Sequence, residues 1–317
     1  MLAVTGSTGK IGGRVAARLA ALGLPQRLIV RDPSRAPAIP GAEIFQVSSY
    51  GDPAAMGRAL AGVDTLFLVS AQEIMGMIKK SQERDAPLGY YDRLHQHICA
   101  VSAAAAVGVR HIVYLSFLNA QPDATFYAAR EHFRTEEFIR STGVPFTFMR
   151  QGLYLDNVPA HVTREDVMRA PAGDGRVSWV SRDDIADSVV GVMAGSGHEG
   201  QTYDITGREA LTMAETAERM SAVLGRTITY EAQTPHEARS GRNMSRMVDH
   251  ELARREQKGV GVTEPELEGW ISHYLQIATG EAGTVSDAVL RLTGHAAESV
   301  AEYLEKHPES YSHLLER

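Results

Sequence analysis

Cysteine is nearly absent from this chain. A single residue, Cys99, stands among 317. No disulfide can close within the chain, and no cysteine-built zinc site can form; a reducing, cytoplasmic setting is expected. Long apolar runs are missing too. None reaches the roughly 20 residues a membrane-spanning helix needs, and "MLAVTG" enters a strand with no basic and apolar leader before it. Positive charge is not in excess: the formal net charge is −7, which argues against a nucleic-acid-binding surface. There is no repeat, no low-complexity tract, no Walker pattern and no serine-hydrolase elbow. His95 and His97 lie two apart on a helix and so face different ways, a poor metal pair. No metal is expected.

What is present is alternation. "LAVTG", "RLIV", "AEIFQV", "DTLFLVS", "RHIVYLS" and "PFTFMR" read as short apolar strands. Between them, "KIGGRVAARLAALG", "PAAMGRALAGV", "LHQHICAVSAAAAVGV" and "EHFRTEEFIRSTG" carry helical periodicity. Alternating strands and helices predict an α/β fold, a Rossmann-type doubly wound parallel sheet covered on both faces. After about residue 150 the pattern loosens. Thr212 with Glu215 three on forms a capping box ahead of "MAETAERMSAVLG". "TITYEA" reads as a strand, and "EPELEGWISHYLQIATG" and "AAESVAEYLEKH" as amphipathic helices. Residues 1–150 are therefore expected to form a dinucleotide-binding domain, and 151–317 a smaller mixed α/β substrate lobe interleaved with it.

The stretch "VTGSTGKIGG" sits where the first strand meets the first helix. Its glycines, Gly6, Gly9 and Gly12, are three apart. Gly6 permits a tight turn, Gly9 lets backbone approach a pyrophosphate, and Gly12 lets the helix pack on the strand. The free N–H groups of the helix N-terminus suit phosphate, Ser7 and Thr8 can add hydroxyl donors, and Lys10 and Ile11 complete the candidate cofactor-binding residues. The second strand runs straight into Arg31. An arginine there fits a ribose 2′-phosphate, so NADP(H) is preferred over NAD(H). Asp32 complicates this, since a carboxylate could serve a 2′-hydroxyl; otherwise it is a turn-former before Pro33. Phe67, Val69 and Ser70, ending the fourth strand, are read as flanking the adenosine half or as core. The long segment from about 72 to 92, with Met75 and Met77, lies at the carboxyl edge of the sheet, where ligands bind. It is a candidate substrate loop or a solvated insertion.

Taken together, "VTGSTGKIGGRV", "LIVRDP", "GVRHIVYLS", "HFRTEEFIRSTGVPFTFMRQGLYLDN" and "VSRDDIAD" resemble the NmrA-like group of atypical short-chain dehydrogenase/reductases. The likeness is nearest to its triphenylmethane-dye reductase and type 2 NADPH:quinone oxidoreductase branch, and runs from residue 1 to about 309. The 72–90 segment is longer than that branch leads one to expect. The resemblance implies a Rossmann fold with a small C-terminal substrate lobe. It implies NADP(H) held by the glycine turn and Arg31. It also embraces members that only sense the cofactor and regulate a partner.

Short-chain dehydrogenases commonly use a serine and a Tyr-x-x-x-Lys in which tyrosine donates the proton. Ser116 ends the fifth strand, but no Tyr-x-x-x-Lys follows. By resemblance Ala128 falls where the tyrosine would lie and His132 where the lysine would. Tyr127, one residue early, is followed four on by Glu131. An electrophile that accepts hydride without a precisely placed acid suits this pattern better than an ordinary ketone. Candidate catalytic residues are His132, Tyr127 and Ser116, with His132 also a cofactor ligand or a group titrating near neutrality. Gln151, Tyr154 and Asn157 are candidate substrate residues, Tyr154 by stacking on a planar ring. Trp179 is read as lobe packing, and Arg182 and Asp183 as an interlobe ion pair or helix start. The expected partner is a small planar substrate such as a quinone or dye. A non-catalytic NADP(H) sensor is the alternative, and a homodimer stays open beside a monomer.

Overall fold

The computed structural model describes residues 1–69, 90–239 and 264–315. Ser70, the 72–89 stretch with Met75 and Met77, and the basic run beyond Arg239 lie outside the described residues.

Six short strands carry the first half: β1 (Leu2–Thr5), β2 (Gln26–Val30), β3 (Glu43–Gln46), β4 (Thr65–Leu68), β5 (His111–Phe117) and β6 (Phe146–Gln151). The helices between them are α1 (Gly12–Ala21), α2 (Pro53–Leu60), α3 (Tyr90–Ala106) and α4 (Tyr127–Ser141). These strands pair in parallel in the order β3-β2-β1-β4-β5-β6. The order reverses beside β1, so the carboxyl ends of β1 and β4 frame the crevice where such sheets bind ligands. A seventh parallel strand, β9 (Gln201–Ile205), pairs with β6. It was not expected from the sequence: "QTYDI" is short, polar and exposed at one end, so no apolar run marks it.

Alternation along each strand builds two separate cores. Val4, Leu28, Phe67, Val113 and Met149 face α1 and α5 (Arg182–Ala194). Ala3, Ile29, Leu66, Ile112, Tyr114 and Phe148 face the side covered by α2 and α3. Both faces are buried, which is why these strands read as apolar runs rather than as half-polar ones.

The chain beyond residue 150 contributes to both halves of the molecule. Helices α5 and α9 (Ala288–Thr293) and strand β9 complete the first sheet. Two small sheets stand apart from it: β7 (Val167–Ala170) with β11 (Thr229–Ala232), and β8 (Arg176–Val177) with β10 (Leu211–Thr212). They share a third core with α6 (Met213–Leu224), α8 (Glu264–Ala278) and α10 (Val300–Lys306). Two short helices complete the set: α7 (Pro235–Arg239) follows β11, and α11 (Ser312–Leu315) comes last. The capping box at Thr212 and Glu215 forms, each partner bonding the other's backbone. Trp179 is buried in the third core, its indole N–H donating to Thr216 Oγ1 at 3.1 Å, and so packs the lobe.

Helix α4 is fastened to the sheet by one buried carboxylate. Glu136 has no exposed side-chain surface and meets Arg150 of β6 at 2.6 Å. Ser116 Oγ donates to it at 2.6 Å, and Arg140 reaches it at 3.3 Å. Removing such a carboxylate strands its partners in a poorly solvated space. Glu136→Ala is therefore expected to cost roughly 3–5 kcal/mol of stability, measured by chemical denaturation.

Candidate active site

The glycine turn is built by close backbone approach. Gly6 adopts φ +61°, a left-handed conformation that favours glycine, and a Cβ there would lie 3.0 Å from Val69 Cβ. A Cβ on Gly12 would lie 2.4 Å from the Gly6 carbonyl oxygen and 2.9 Å from that of Thr5. The first turn of α1 is thus pressed onto the end of β1. Within the turn, Gly9 N–H donates to Gly6 O at 2.8 Å and Gly13 N–H to Gly9 O at 3.0 Å. Thr5 locks the neighbouring strand end: its hydroxyl donates to Phe67 O at 3.2 Å and accepts from Val69 N–H at 2.8 Å. The Gly6 N–H donates to the Tyr50 hydroxyl at 2.9 Å. Burial pushes the Tyr50 pKa up, so this phenol stays neutral. Tyr50 escaped the sequence reading because it lies in a loop after β3 with no motif around it.

This turn fits a dinucleotide phosphate. Ser7 is buried, yet its Oγ has no hydrogen-bond partner among the described residues. A buried hydroxyl without a partner is costly unless a ligand supplies one. The leading N–H groups of α1 lack intrahelical acceptors, as at any helix start. Lys10 is exposed beside the turn, and the Arg182 charge, burial and Arg14 together lower its pKa against an opposing pull from Asp156. That lowering records a crowd of positive charge at the front of α1, the field a pyrophosphate needs. Ile11 is itself core; only its backbone faces the turn.

The end of β2 separates the two candidates for the ribose. Asp32 is turned back on its own chain. Its carboxylate accepts from Ser34 N–H at 3.0 Å and Ser34 Oγ–H at 2.7 Å, capping the 3-10 turn Pro33–Arg35. These bonds hold its pKa below the usual carboxylate value. Arg31 is exposed beside it, its carbonyl fixed by Gln46 Nε2 at 3.2 Å. The Phe67 ring is wholly buried in the first core. Of its two readings, the ring takes the core one, and its contribution to the edge is the backbone carbonyl that Thr5 uses. Val69 is half-buried against Gly6.

The three catalytic candidates part company in the structure. Ser116 is fully buried and gives its hydroxyl to Glu136, as above, so it supports α4 from within the core. Tyr127 opens α4 half-buried, its N–H reaching Ser272 Oγ of α8 at 3.4 Å and its ring lying 5.0 Å from the Arg130 guanidinium. Five residues on, His132 is turned about 140° away around the helix. It is buried, bonded through Nδ1 to the Tyr114 hydroxyl at 2.7 Å and stacked on Phe117 at 6.1 Å. Burial, with the Arg93 and His97 charges, lowers its pKa well below the ordinary histidine value. It is a neutral imidazole, and titration near neutrality is not available to it.

The segment leaving β6 gathers around Arg182, the first residue of α5. Its guanidinium lies 4.0 Å over the Tyr154 ring, pairs with Asp156 at 3.1 Å and donates to Asn157 Oδ1 at 3.2 Å. One face of Tyr154 and the Asn157 carbonyl are therefore already occupied. Gln151 Nε2 donates to the Tyr154 hydroxyl, while its buried Oε1 has no partner among the described residues. That oxygen is placed to accept from an amide N–H. The ion-pair expectation for this stretch extends to Asp183, which meets Arg18 at 2.5 Å and Arg14 at 3.2 Å, with Asp187 on Arg18 at 2.6 Å.

Arg93, at the start of α3, was not singled out from the sequence. It pairs with Glu131 at 3.2 Å, and its charge acts on His97, Tyr114, His132 and Tyr154 as well. Burial pushes the Glu131 carboxyl up to about 7 against the pull of Arg93 and Arg134. Nothing in "YYDRLHQH" distinguishes Arg93 from a surface residue; only the packing of α3 on α4 does. His97 turns to Thr135 at 3.0 Å, whereas His95 lies beside the thiol of Cys99, 3.6 Å away.

A seven-stranded parallel sheet with a glycine turn at its switch point defines a Rossmann-type protein. The chain belongs to the NmrA-like family, whose model matches residues 1–257. It is similar to the (4-alkanoyl-5-oxo-2,5-dihydrofuran-3-yl)methyl phosphate reductase of Streptomyces griseus, 33% identical, the match covering 98% of this chain and 99% of that one. Among solved structures, the NADPH-dependent quinone oxidoreductase of Escherichia coli complexed with NADPH superposes with a TM-score of 0.78. The two are 28% identical, covering 99% of this chain and 100% of that one. The Citrobacter triphenylmethane reductase complexed with NADP(H) gives a TM-score of 0.77 at 26% identity, over 96% and 99%. No described helix is long and apolar enough to cross a membrane.

Gly12→Ala forces a methyl group against two carbonyl oxygens of the backbone. It is expected to cost on the order of 1–3 kcal/mol of stability, the range for overpacking, and to weaken dinucleotide binding. Thermal unfolding and NADPH calorimetry on the same variant check both effects.

Proposed function

We propose that the protein is an NADPH-dependent reductase that delivers hydride to a planar, electron-poor substrate such as a quinone or a dye. The single observation that carries this reading is the make-up of the carboxyl edge. It pairs a dinucleotide turn with a buried Ser7 hydroxyl and a Gln151 oxygen that lack partners among the described residues, yet by resemblance has Ala128 where a short-chain dehydrogenase carries its acid. The names of the relatives support it. A quinone, a triphenylmethane dye and an alkanoyl-oxo-dihydrofuran all present a conjugated, electron-poor system.

When bound, NADPH supplies the hydride. The residues of this chain bind and orient. The turn from Gly6 to Gly12 and the front of α1 hold the pyrophosphate, with Ser7, Thr8 and Lys10 contributing donors. Arg31 grips the 2′-phosphate through charge-assisted bonds, because Asp32 is tied to Ser34 and does not compete. Gln151 and His132 bracket the nicotinamide, and Tyr154 and Tyr127 border the substrate. Reduction of a quinone takes up one hydride and one proton, and water supplies the proton to the reduced oxygen. A cationic dye needs none. Binding geometry then accounts for most of the acceleration.

The test mixes the protein with NADPH and a panel of quinones, triphenylmethane dyes and acyl-substituted unsaturated lactones, following loss of nicotinamide absorbance. Turnover of panel members is expected. Tight NADPH binding with no oxidation across the panel would replace this reading with a cofactor-sensing regulator. Arg31→Ala is expected to weaken NADPH binding by roughly 1.5–3 kcal/mol, the scale of a hydrogen bond to a charged group, and to leave NADH binding unchanged. Equal losses for both cofactors in a titration would refute the preference for NADPH.

A further inference from the structure

Beneath His132 runs a chain of buried polar groups that the proposed chemistry does not use. Tyr114 lies in the middle of β5 with no exposed surface. Its hydroxyl stands 2.7 Å from His132 Nδ1 on α4 and 3.5 Å from His97 Nδ1 on α3. His97 Nδ1 in turn stands 3.0 Å from Thr135 Oγ1, and that hydroxyl donates to the Glu131 carbonyl at 3.1 Å. Three elements thus converge on one phenol.

One direction of the donors satisfies all of these contacts. With the Thr135 proton directed at the Glu131 carbonyl, Thr135 Oγ1 accepts, so His97 Nδ1 carries a proton. The phenol also meets the Thr135 side chain, and with His97 Nδ1 protonated its proton goes to the nearest bare acceptor, His132 Nδ1 at 2.7 Å. The reverse direction would turn the Thr135 proton to His97 Nδ1 and take it from the Glu131 carbonyl. A phenol so deeply buried stays protonated, since burial pushes the Tyr114 pKa far up. The histidines on either side stay neutral, each lowered chiefly by burial, His97 to about 3. Of the charged groups around them, Arg93 pairs with Glu131, and Glu136 accepts from Ser116.

We propose that Tyr114 is a positioning residue that holds His132 in its Nε2–H tautomer, so that a neutral imidazole presents one fixed hydrogen-bond donor to an oxygen of the nicotinamide riboside. The idea rests on the NADPH reading above. Its placement follows from the fold: His132 stacks on Phe117, the last residue of β5, at the carboxyl edge of the sheet. Among the described residues no partner meets Nε2. A lysine at such a place donates whatever its orientation. A histidine donates only if the correct nitrogen carries the proton, so replacing one by the other demands a tautomer lock. Tyr114, backed by His97 and Thr135, is that lock.

The experiment reads the two ring nitrogens of His132 by 15N-edited NMR on the whole protein, the signals assigned by their loss in His132→Asn. In the free protein, Nδ1 is expected unprotonated and Nε2 protonated. NADPH should shift the Nε2–H signal, while adenosine 2′,5′-bisphosphate, which lacks the nicotinamide riboside, should bind and leave it in place. Tyr114→Phe keeps the ring and removes the proton; the two tautomers should then mix, and NADPH affinity by calorimetry should fall about three- to tenfold, the weight of one neutral hydrogen bond. A proton on Nδ1 in the wild-type protein overturns the proposal, as does an unchanged tautomer in Tyr114→Phe. NADPH that binds without moving Nε2–H overturns the donor role. The wild-type spectrum decides the tautomer even where the variant does not fold. It does so too where NADPH fails to bind, an outcome that removes the cofactor reading instead.

Discussion

The constraint on which the rest depends is the contact between the front of α1 and the end of β1. Gly12 lies so close to the carbonyls of Gly6 and Thr5 that no side chain fits between them. This fixes where α1 begins, how far its N–H groups project beyond the sheet, and which way its apolar stripe faces. Val15 and Leu19 then meet Val4 and Leu28 in one core. The outer side of α1 carries Arg14 and Arg18 to Asp183 and Asp187 of α5, where partly exposed pairs add little energy but set direction. Because α5 begins with Arg182, the same helix brings a guanidinium to Tyr154, Asp156 and Asn157. The position of one glycine is thus felt at both ends of the candidate site.

Much of this was legible in the sequence, for identifiable reasons. A buried parallel strand is an apolar run, and "DTLFLVS" and "RHIVYLS" could hardly be anything else. The glycine turn is visible because backbone crowding admits one residue type at fixed spacing. Arg31 is visible because it directly follows a strand. The strand at 201–205 stayed hidden because an edge strand packs on one side only, and "QTYDI" carries no run to announce it. The second lobe was blurred because its segments alternate between two bodies, so local pattern does not reveal which core each one serves.

The region of the catalytic candidates was the least legible part. The resemblance singled out His132, but nothing local gives its protonation state. That depends on Tyr114, eighteen residues earlier, and on His97 from another helix. Ser116 looked like a catalytic serine because it ends a strand. In three dimensions a carboxylate twenty residues on occupies its hydroxyl, and its role becomes mechanical. Arg93 and Tyr50 show the opposite case. Each is ordinary in sequence and central in space, since charge and hydrogen bonding act across elements while motifs are read along one.

The pairing of β9 with β6 bears on how this architecture can be taken apart. Its strand arrives only after the chain has left the sheet, crossed the Tyr154 segment and returned. A fragment ending near residue 150 would leave β6 as an open rim of unpaired amides and carbonyls, ready to recruit other strands. The Tyr154 segment is therefore sewn into the sheet at both ends. New specificities can be explored by exchanging what lies between the stitches, but not by swapping the distal half as a cassette.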